Sequence, residues 1–104
     1  MKYQVSTQPT PTERAEQLQY QTMKKITVLF FATLRDHMGE KMMTLQLPKD
    51  ASVQDLKVKL ATQKPGTQAV LDAALISINK EYAYKDEIIP DGAEVAFFPH
   101  VSGG

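Results

Sequence analysis

Two glycines at the end of the sequence are the residues with the clearest chemical potential. The last eight residues read FFPHVSGG and end at Gly104. Gly103 and Gly104 have no side chains, so they cannot anchor a core, but their backbone can enter a narrow slot. Such a tail can present its α-carboxylate to the chemistry of another protein. Pro99, with its fixed φ and no N–H, suits the point where a last strand ends and an extended tail begins.

The other candidate reactive groups do not form a catalytic or metal-binding set. His37 and His100 lie far apart in the sequence, and neither has a Cys or Asp constellation near it, so we predict no metal site. Asp86-Glu87 and Asp91 are typical of turns and solvated surface rather than of an acid–base pair. The glycines are scattered, so there is no glycine-rich phosphate loop, and we do not expect the chain to bind ATP alone.

Composition excludes several further classes of function. The 104 residues allow at most one domain, and 12 Lys plus Arg balance 12 Asp plus Glu, which gives no support for binding to nucleic acid or to an anionic membrane. The absence of cysteine excludes disulfides, thiolate metal sites and a cysteine nucleophile. No apolar run has the length of a membrane span and no secretory signal is present, so we predict a soluble, cytoplasmic protein.

Residues 1–22 differ in composition from the rest of the chain. They are rich in Gln, Thr and Pro and carry few bulky apolar side chains. Thr10-Pro11-Thr12-Glu13 has the pattern of a capping box, which allows a short helix over 11–21, but the apolar stripe of this helix is too thin for stability without docking. We therefore predict a disordered or weakly helical extension over 1–22, and a domain over 23–104 whose tail, 99–104, is flexible.

Apolar alternation predicts the strands that must position this tail. The strongest strand covers 25–33, in which alternate residues from Ile26 onward face the core. Its other face carries Leu29 and Phe31 and is too apolar for a simply solvated surface. A turn through Gly39 should join this strand to the next in a hairpin. The remaining strands are expected at 42–47, 75–79, 81–84 and 94–98.

Helical signals lie between these strands. Ser52 is a good N-cap with Asp55 three residues later, and apolar residues follow at helical spacing, which predicts a main helix over 53–63. A second, short helix is expected over 67–74. We predict an α+β fold of the ubiquitin-like β-grasp type, a mixed sheet of about five strands with the main helix packed on one face. The first and last strands, which are the most apolar, should lie side by side.

Several sequence motifs, taken in their order along the chain, resemble those of a known family. KITVLFFATLRD begins at Lys25, INKEYA and PDGAEV follow the capped helix, and EVAFFPHVSGG ends the chain. In these motifs and their order, residues 24–104 resemble the small, sulfur-carrier subunit of molybdopterin synthase. One departure is His100, which lies where that family usually has a second proline and should loosen the tail slightly.

The resemblance implies a sulfur carrier rather than an enzyme. A ubiquitin-activating-like adenylyltransferase would use ATP to adenylate the carboxylate of Gly104, and sulfur would replace the adenylate to leave a thiocarboxylate. The tail, with Val101, Ser102 and Gly103, would then enter the large subunit of the synthase. There the sulfur passes to cyclic pyranopterin monophosphate. The family implies a heterotetramer of two small and two large subunits, with no cofactor bound to the carrier and catalytic residues on the large subunit.

A partner surface is predicted from the strand faces. Leu29 and Phe31 on the first strand and Phe98 on the last face away from the predicted core. With Tyr82 they are expected to form one apolar patch beside the tail, and aromatic residues in such a patch are good interface anchors. Arg35, just after the first strand, is a candidate to pair with a carboxylate of the partner, although a solvated arginine with little effect fits the sequence equally well.

Three other functions fit parts of the sequence. The sulfur carrier of thiamine thiazole synthesis shares the fold and the Gly-Gly end, but such carriers are usually shorter. A ubiquitin-like modifier would share the activation step and then form isopeptide bonds with target lysines. A plain β-grasp binding module would have an inert tail, and it would keep its function without Gly103-Gly104.

Overall fold

The computed structural model describes residues 23–100, which form one mixed five-stranded sheet with helices. Residues 1–22 and 101–104, and with them the predicted extension and most of the predicted tail, lie outside the described residues. The elements are β1 (Met23–Phe30), α1 (Thr33–Met38), β2 (Met42–Pro48), α2 (Val53–Gln63), α3 (Gln68–Ala73), β3 (Leu75–Ile78), β4 (Glu81–Tyr82) and β5 (Glu94–Phe98). The strand order is β2-β1-β5-β3-β4. The predicted β-grasp fold is confirmed.

The first and last strands form the centre of the sheet, as predicted. β1 runs parallel to β5, whereas β2 pairs with β1, β3 with β5 and β4 with β3 in antiparallel fashion. Phe30 and Phe97 are opposite each other in the parallel register, and their ring centroids lie 5.6 Å apart in the core. Both rings are 1% exposed or less. A strand with neighbours on both sides satisfies its backbone within the sheet, so the most apolar segments can occupy the centre.

α2 covers the inner face of the sheet and begins where the sequence predicts. The hydroxyl of Ser52 accepts a hydrogen bond from the N–H of Asp55 at 3.3 Å, and the carboxylate of Asp55 accepts one from the N–H of Ser52 at 2.9 Å. This reciprocal capping box satisfies two backbone donors at the helix start. Val53, Leu56 and Leu60 are fully buried in the same cluster as the inner faces of the strands. Within residues 23–100, no helix has the length and apolar character needed to cross a membrane.

The segment after β1 differs from the prediction. The strand ends at Phe30 rather than at residue 33, and the expected turn is the helix α1. Leu34 and Met38, four residues apart, place their side chains in the core. Gly39 ends the helix in the left-handed conformation, and its N–H donates a hydrogen bond to the carbonyl of Arg35. β1 and β2 are antiparallel neighbours as expected of a hairpin, but a helix connects them. β3, β4 and α3 are each one or two residues shorter than predicted.

A buried lysine joins the start of β1 to two loops. Alternation along β1 places Lys24 on the core side with Ile26, and the residue is 2% exposed. Its ammonium donates to the carbonyls of Lys49 and Ala51, each at 2.9 Å, and to that of Ile89. Burial lowers the pKa of Lys24. Neighbouring carboxylates, that of Asp50 first, act in the opposite direction. One side chain therefore fixes the loop before α2 and the loop before β5 to the central strand.

We expect Lys24→Met to destabilise the domain by about 2 kcal/mol. The methionine keeps the apolar stem but leaves the buried carbonyl of Ile89 without this donor, whereas the carbonyl of Ala51 still accepts from the N–H of Ile89. An unsatisfied buried group costs ~1–3 kcal/mol. Urea unfolding followed by circular dichroism measures the effect. Lys25→Met, at the neighbouring exposed position, is the matched control and should leave the unfolding midpoint nearly unchanged. Equal midpoints for the two variants would contradict a structural role for the Lys24 ammonium.

Candidate functional site

The outer face of the sheet, opposite α2, carries the candidate site. Strand register places one residue from each strand in a single row across this face. Leu29 is opposite Met42 on one side and Ala96 on the other, Ala96 is opposite Ser77, and Ser77 is opposite Tyr82. The two central members of this row are small, whereas the outer members are large. A row of this composition forms a depression along the middle of the face.

The depression is a trough with a volume of about 330 Å³. Ala96 and Ser77 form its floor and are only 5% and 6% exposed, because larger neighbours stand on both sides of them. Leu29 contributes to the β1 side and Tyr82, which is 77% exposed, to the β4 side. The floor of the trough therefore combines a methyl group with a hydroxyl, and the trough offers space for a side chain of another molecule.

A stacked aromatic pair forms the end of the trough nearest the tail. The rings of Phe31 and Phe98 have centroids 4.9 Å apart and planes 4° from parallel. The pair follows from the parallel register, since the N–H of Phe31 donates to the carbonyl of Phe97 at 3.1 Å. Phe31 is 38% exposed and Phe98 is partly buried, so the stack presents apolar surface to solvent. Such a surface is suited to protein contact.

The backbone turns sharply directly after this pair. Ala32 has φ 54° and ψ −129°, a conformation that favours glycine, and α1 begins at the next residue. The carbonyls of Phe31 and Ala32 accept hydrogen bonds from the N–H groups of Leu34 and Arg35 at 3.1 and 3.0 Å. Strained backbone of this kind persists only where its surroundings determine it. Here the sheet and the two buried side chains of α1, Leu34 and Met38, together fix the position of Phe31.

Charged residues lie at the opposite end of the trough. Lys80, in the turn between β3 and β4, and Glu94, at the start of β5, both line it. Neither forms an ion pair with another group in residues 23–100. The outer face thus changes from aromatic, beside the exit of the chain from β5, to charged at its far end.

The predicted site residues fall into three groups. Leu29, Phe31, Tyr82 and Phe98 are brought together along the trough, and their role in partner binding remains a prediction. Arg35 lies in α1 with an exposed side chain and does not line the trough. The predicted tail positions are outside the described residues, and they are Val101, Ser102, Gly103 and Gly104.

Some residues of the trough are missing from the sequence prediction. The sequence does not single out Ser77 and Ala96 as site residues. The role of a small residue on a sheet depends on which side chains lie beside it, and strand register decides this. Lys80 had a local signal, since Asn79 is a residue that favours turns, but its position at the trough depends on the pairing of β3 with β5. In the described part of the chain, no group of three or more His, Asp or Glu side chains is placed to hold a metal ion.

Comparison with known proteins agrees with the fold and with the sequence motifs. The model of the ThiS family matches residues 28–104. The molybdopterin synthase sulfur carrier subunit of Chlamydomonas reinhardtii is 33% identical over 82 residues, which cover 77% of this chain and 99% of that protein. This relative confirms the resemblance read from the sequence motifs.

Two solved structures show the same fold. The putative molybdopterin converting factor subunit 1 of Pyrococcus furiosus has a TM-score of 0.69 and 28% identity, over 75% of this chain and 99% of that chain. SAMP1 of Haloferax volcanii has a TM-score of 0.68 and 27% identity, over 77% of this chain and 99% of that chain. With the family model matching almost three quarters of its length, this chain belongs to the ThiS family.

Proposed function

We propose that this protein is the small, sulfur-carrier subunit of a molybdopterin synthase. The observation that carries the proposal is the similarity to the Chlamydomonas reinhardtii sulfur carrier subunit along 99% of that protein's length. The matched family region also includes Gly103-Gly104. In this role the protein is a reagent: one partner adds sulfur to it and another removes the sulfur. The catalytic residues belong to these partners.

The sulfur would be carried on the α-carboxylate of Gly104. An adenylyltransferase joins this carboxylate to AMP from ATP and releases pyrophosphate, which makes the carboxyl carbon susceptible to attack. Sulfur at the oxidation level of hydrosulfide then attacks this carbon, AMP leaves, and the product is a thiocarboxylate. The thiocarboxylate in turn is a competent nucleophile toward cyclic pyranopterin monophosphate in the large subunit. This chemistry suits a chain without cysteine, because it needs no side-chain thiol.

The trough and the aromatic stack are the proposed docking surface for the large subunit. The stack of Phe31 on Phe98 lies at the point where the chain leaves β5, and Gly104 is the sixth residue after Phe98. A fully extended chain covers about 3.4 Å per residue, so the carboxylate can reach roughly 20 Å from the stack. Docking on this face would therefore leave the tail long enough to enter a buried active site.

A ubiquitin-like modifier remains the second candidate, because SAMP1 of Haloferax volcanii, a small archaeal modifier protein, shares 27% identity and the fold. A modifier uses the same activated carboxylate but transfers the carrier itself to a lysine. The two functions therefore differ in the acceptor and not in the loading step.

The loading step is tested by intact-mass spectrometry. Incubation with the activating enzyme of the host, ATP and a sulfur donor should add the mass of one oxygen-for-sulfur exchange. A chain that lacks Gly104 should show no gain, since its terminal carboxylate is one residue short of the active site. An unchanged mass for the full chain, with the same enzyme active on a known carrier, would contradict a thiocarboxylate carrier.

The acceptor distinguishes the candidates. The loaded chain, mixed with the large subunit and cyclic pyranopterin monophosphate, should lose its sulfur and yield the molybdopterin dithiolene. Transfer to a thiazole precursor instead would identify the thiamine pathway. Higher-mass conjugates in cell extracts, absent when Gly103-Gly104 is deleted, would identify a modifier.

The docking surface is tested with Phe31→Ala. Removal of an aromatic anchor at the centre of an interface costs ~2 kcal/mol, or about a 30-fold rise in Kd for the large subunit, measured by calorimetry. Val58→Ala is the matched control, because Val58 is 50% exposed on α2, on the other side of the sheet. Equal affinity for both variants would show that the partner docks elsewhere.

A further inference from the structure

A lysine occupies a backbone position in the β3–β4 turn that favours glycine. Asn79 and Lys80, the two central residues of the turn, have φ 50° and 74°. Two-residue turns with both φ values positive strongly prefer Asn-Gly, because only glycine adopts the second conformation without a steric penalty. The first residue fits this rule, and the second does not. Lys80 therefore occupies a position that glycine would fill with less strain.

The fold supplies the constraint that holds this turn. The N–H of Asn79 donates to the carbonyl of Glu94 at 2.8 Å, and the side-chain oxygen of Asn79 accepts from the N–H of Glu94 at 2.9 Å. These two bonds fix the turn against β5. As a result, Lys80 is held beside the trough rather than on a freely moving loop.

Contacts within residues 23–100 do not explain why a lysine occupies this position. Lys80 is exposed, and within residues 23–100 it forms no ion pair and no side-chain hydrogen bond. Among the described residues it lines the trough, at the charged end, away from the Phe31–Phe98 stack. A free ammonium beside an apolar depression matches the polar rim of a protein interface.

We infer that Lys80 is a specificity-determining residue that pairs with a carboxylate of the large subunit. This inference rests on the proposed function, and it adds the chemistry of the partner. The surface that covers the trough carries an apolar side chain over Ala96 and Ser77 and an acidic residue opposite Lys80. Lys80 lines the same trough as the proposed docking face, and this continuity favours the large subunit as the occupant. Rim charges of this kind govern the rate of association and the choice of partner.

Binding of the full chain to the large subunit tests the inference. Lys80→Gln, which keeps a long side chain, should slow association and raise Kd by about threefold to tenfold at low salt, and should weaken the salt dependence of binding. Lys80→Arg should bind like the unmodified chain. Lys59→Gln, a substitution on α2 away from the trough, is the matched control and should leave both rate and Kd unchanged.

A second variant separates binding from folding. Lys80→Gly removes the charge and relieves the backbone, so its Tm should be no lower than that of the unmodified chain while its binding falls as for Lys80→Gln. A Tm that drops together with the affinity would assign Lys80 a structural role and overturn the inference.

Carbodiimide cross-linking of the complex gives a direct readout. This reagent joins an amine to a carboxylate only when the two are in contact, so mass spectrometry should find Lys80 linked to an Asp or Glu of the large subunit. If the unmodified chain binds but Lys80 forms no such link and Lys80→Gln binds equally well, the inference is wrong and the proposed function stands. If the unmodified chain does not bind the large subunit, both are overturned.

Discussion

The parallel pairing of β1 with β5 is the constraint on which the rest of the structure depends. It joins the first and last strands of the described domain at the centre of the sheet, and it places Phe30 and Phe97 together in the core. The same register places Phe31 and Phe98 together on the outer face. A single set of backbone hydrogen bonds thus aligns a buried aromatic pair, which stabilises the domain, and an exposed pair, which is available for contact.

The two faces of the sheet differ in the sizes of their side chains and in what covers them. On the inner face, large side chains pack with those of α2 in one buried cluster. On the outer face, small residues at the centre and large ones at the sides create a trough that nothing within residues 23–100 fills. Exposed apolar surface is unfavourable in water, so covering this depression with another surface lowers the free energy. The outer face therefore has the physical properties of a binding site, while the inner face has those of a core.

Within residues 23–100 the backbone of non-glycine residues is strained at two places, one near each end of the trough. Ala32 follows the aromatic stack at one end, and Lys80 lies in the turn at the other end. Neither conformation reflects the preference of the residue itself, because alanine and lysine both favour negative φ. Each is held by tertiary contacts, α1 with the core at Ala32 and the bonds of Asn79 to β5 at Lys80. The contacts that hold these two conformations also fix the ends of the trough, so its shape is set before a partner binds.

The sequence by itself determined the elements whose signals are local. Alternation identified β1 and β5 and their core faces, the capping box set the start of α2, and the terminal motif identified the family. Only the tertiary structure decided the rest. α1 is too short to be stable alone and forms because Leu34 and Met38 reach the core, and Lys24 is buried because carbonyls from two distant loops surround it. The floor of the trough forms because Ala96 on β5 lies beside Ser77 on β3. This pairing depends on the register between strands that are far apart in sequence, which no local pattern encodes.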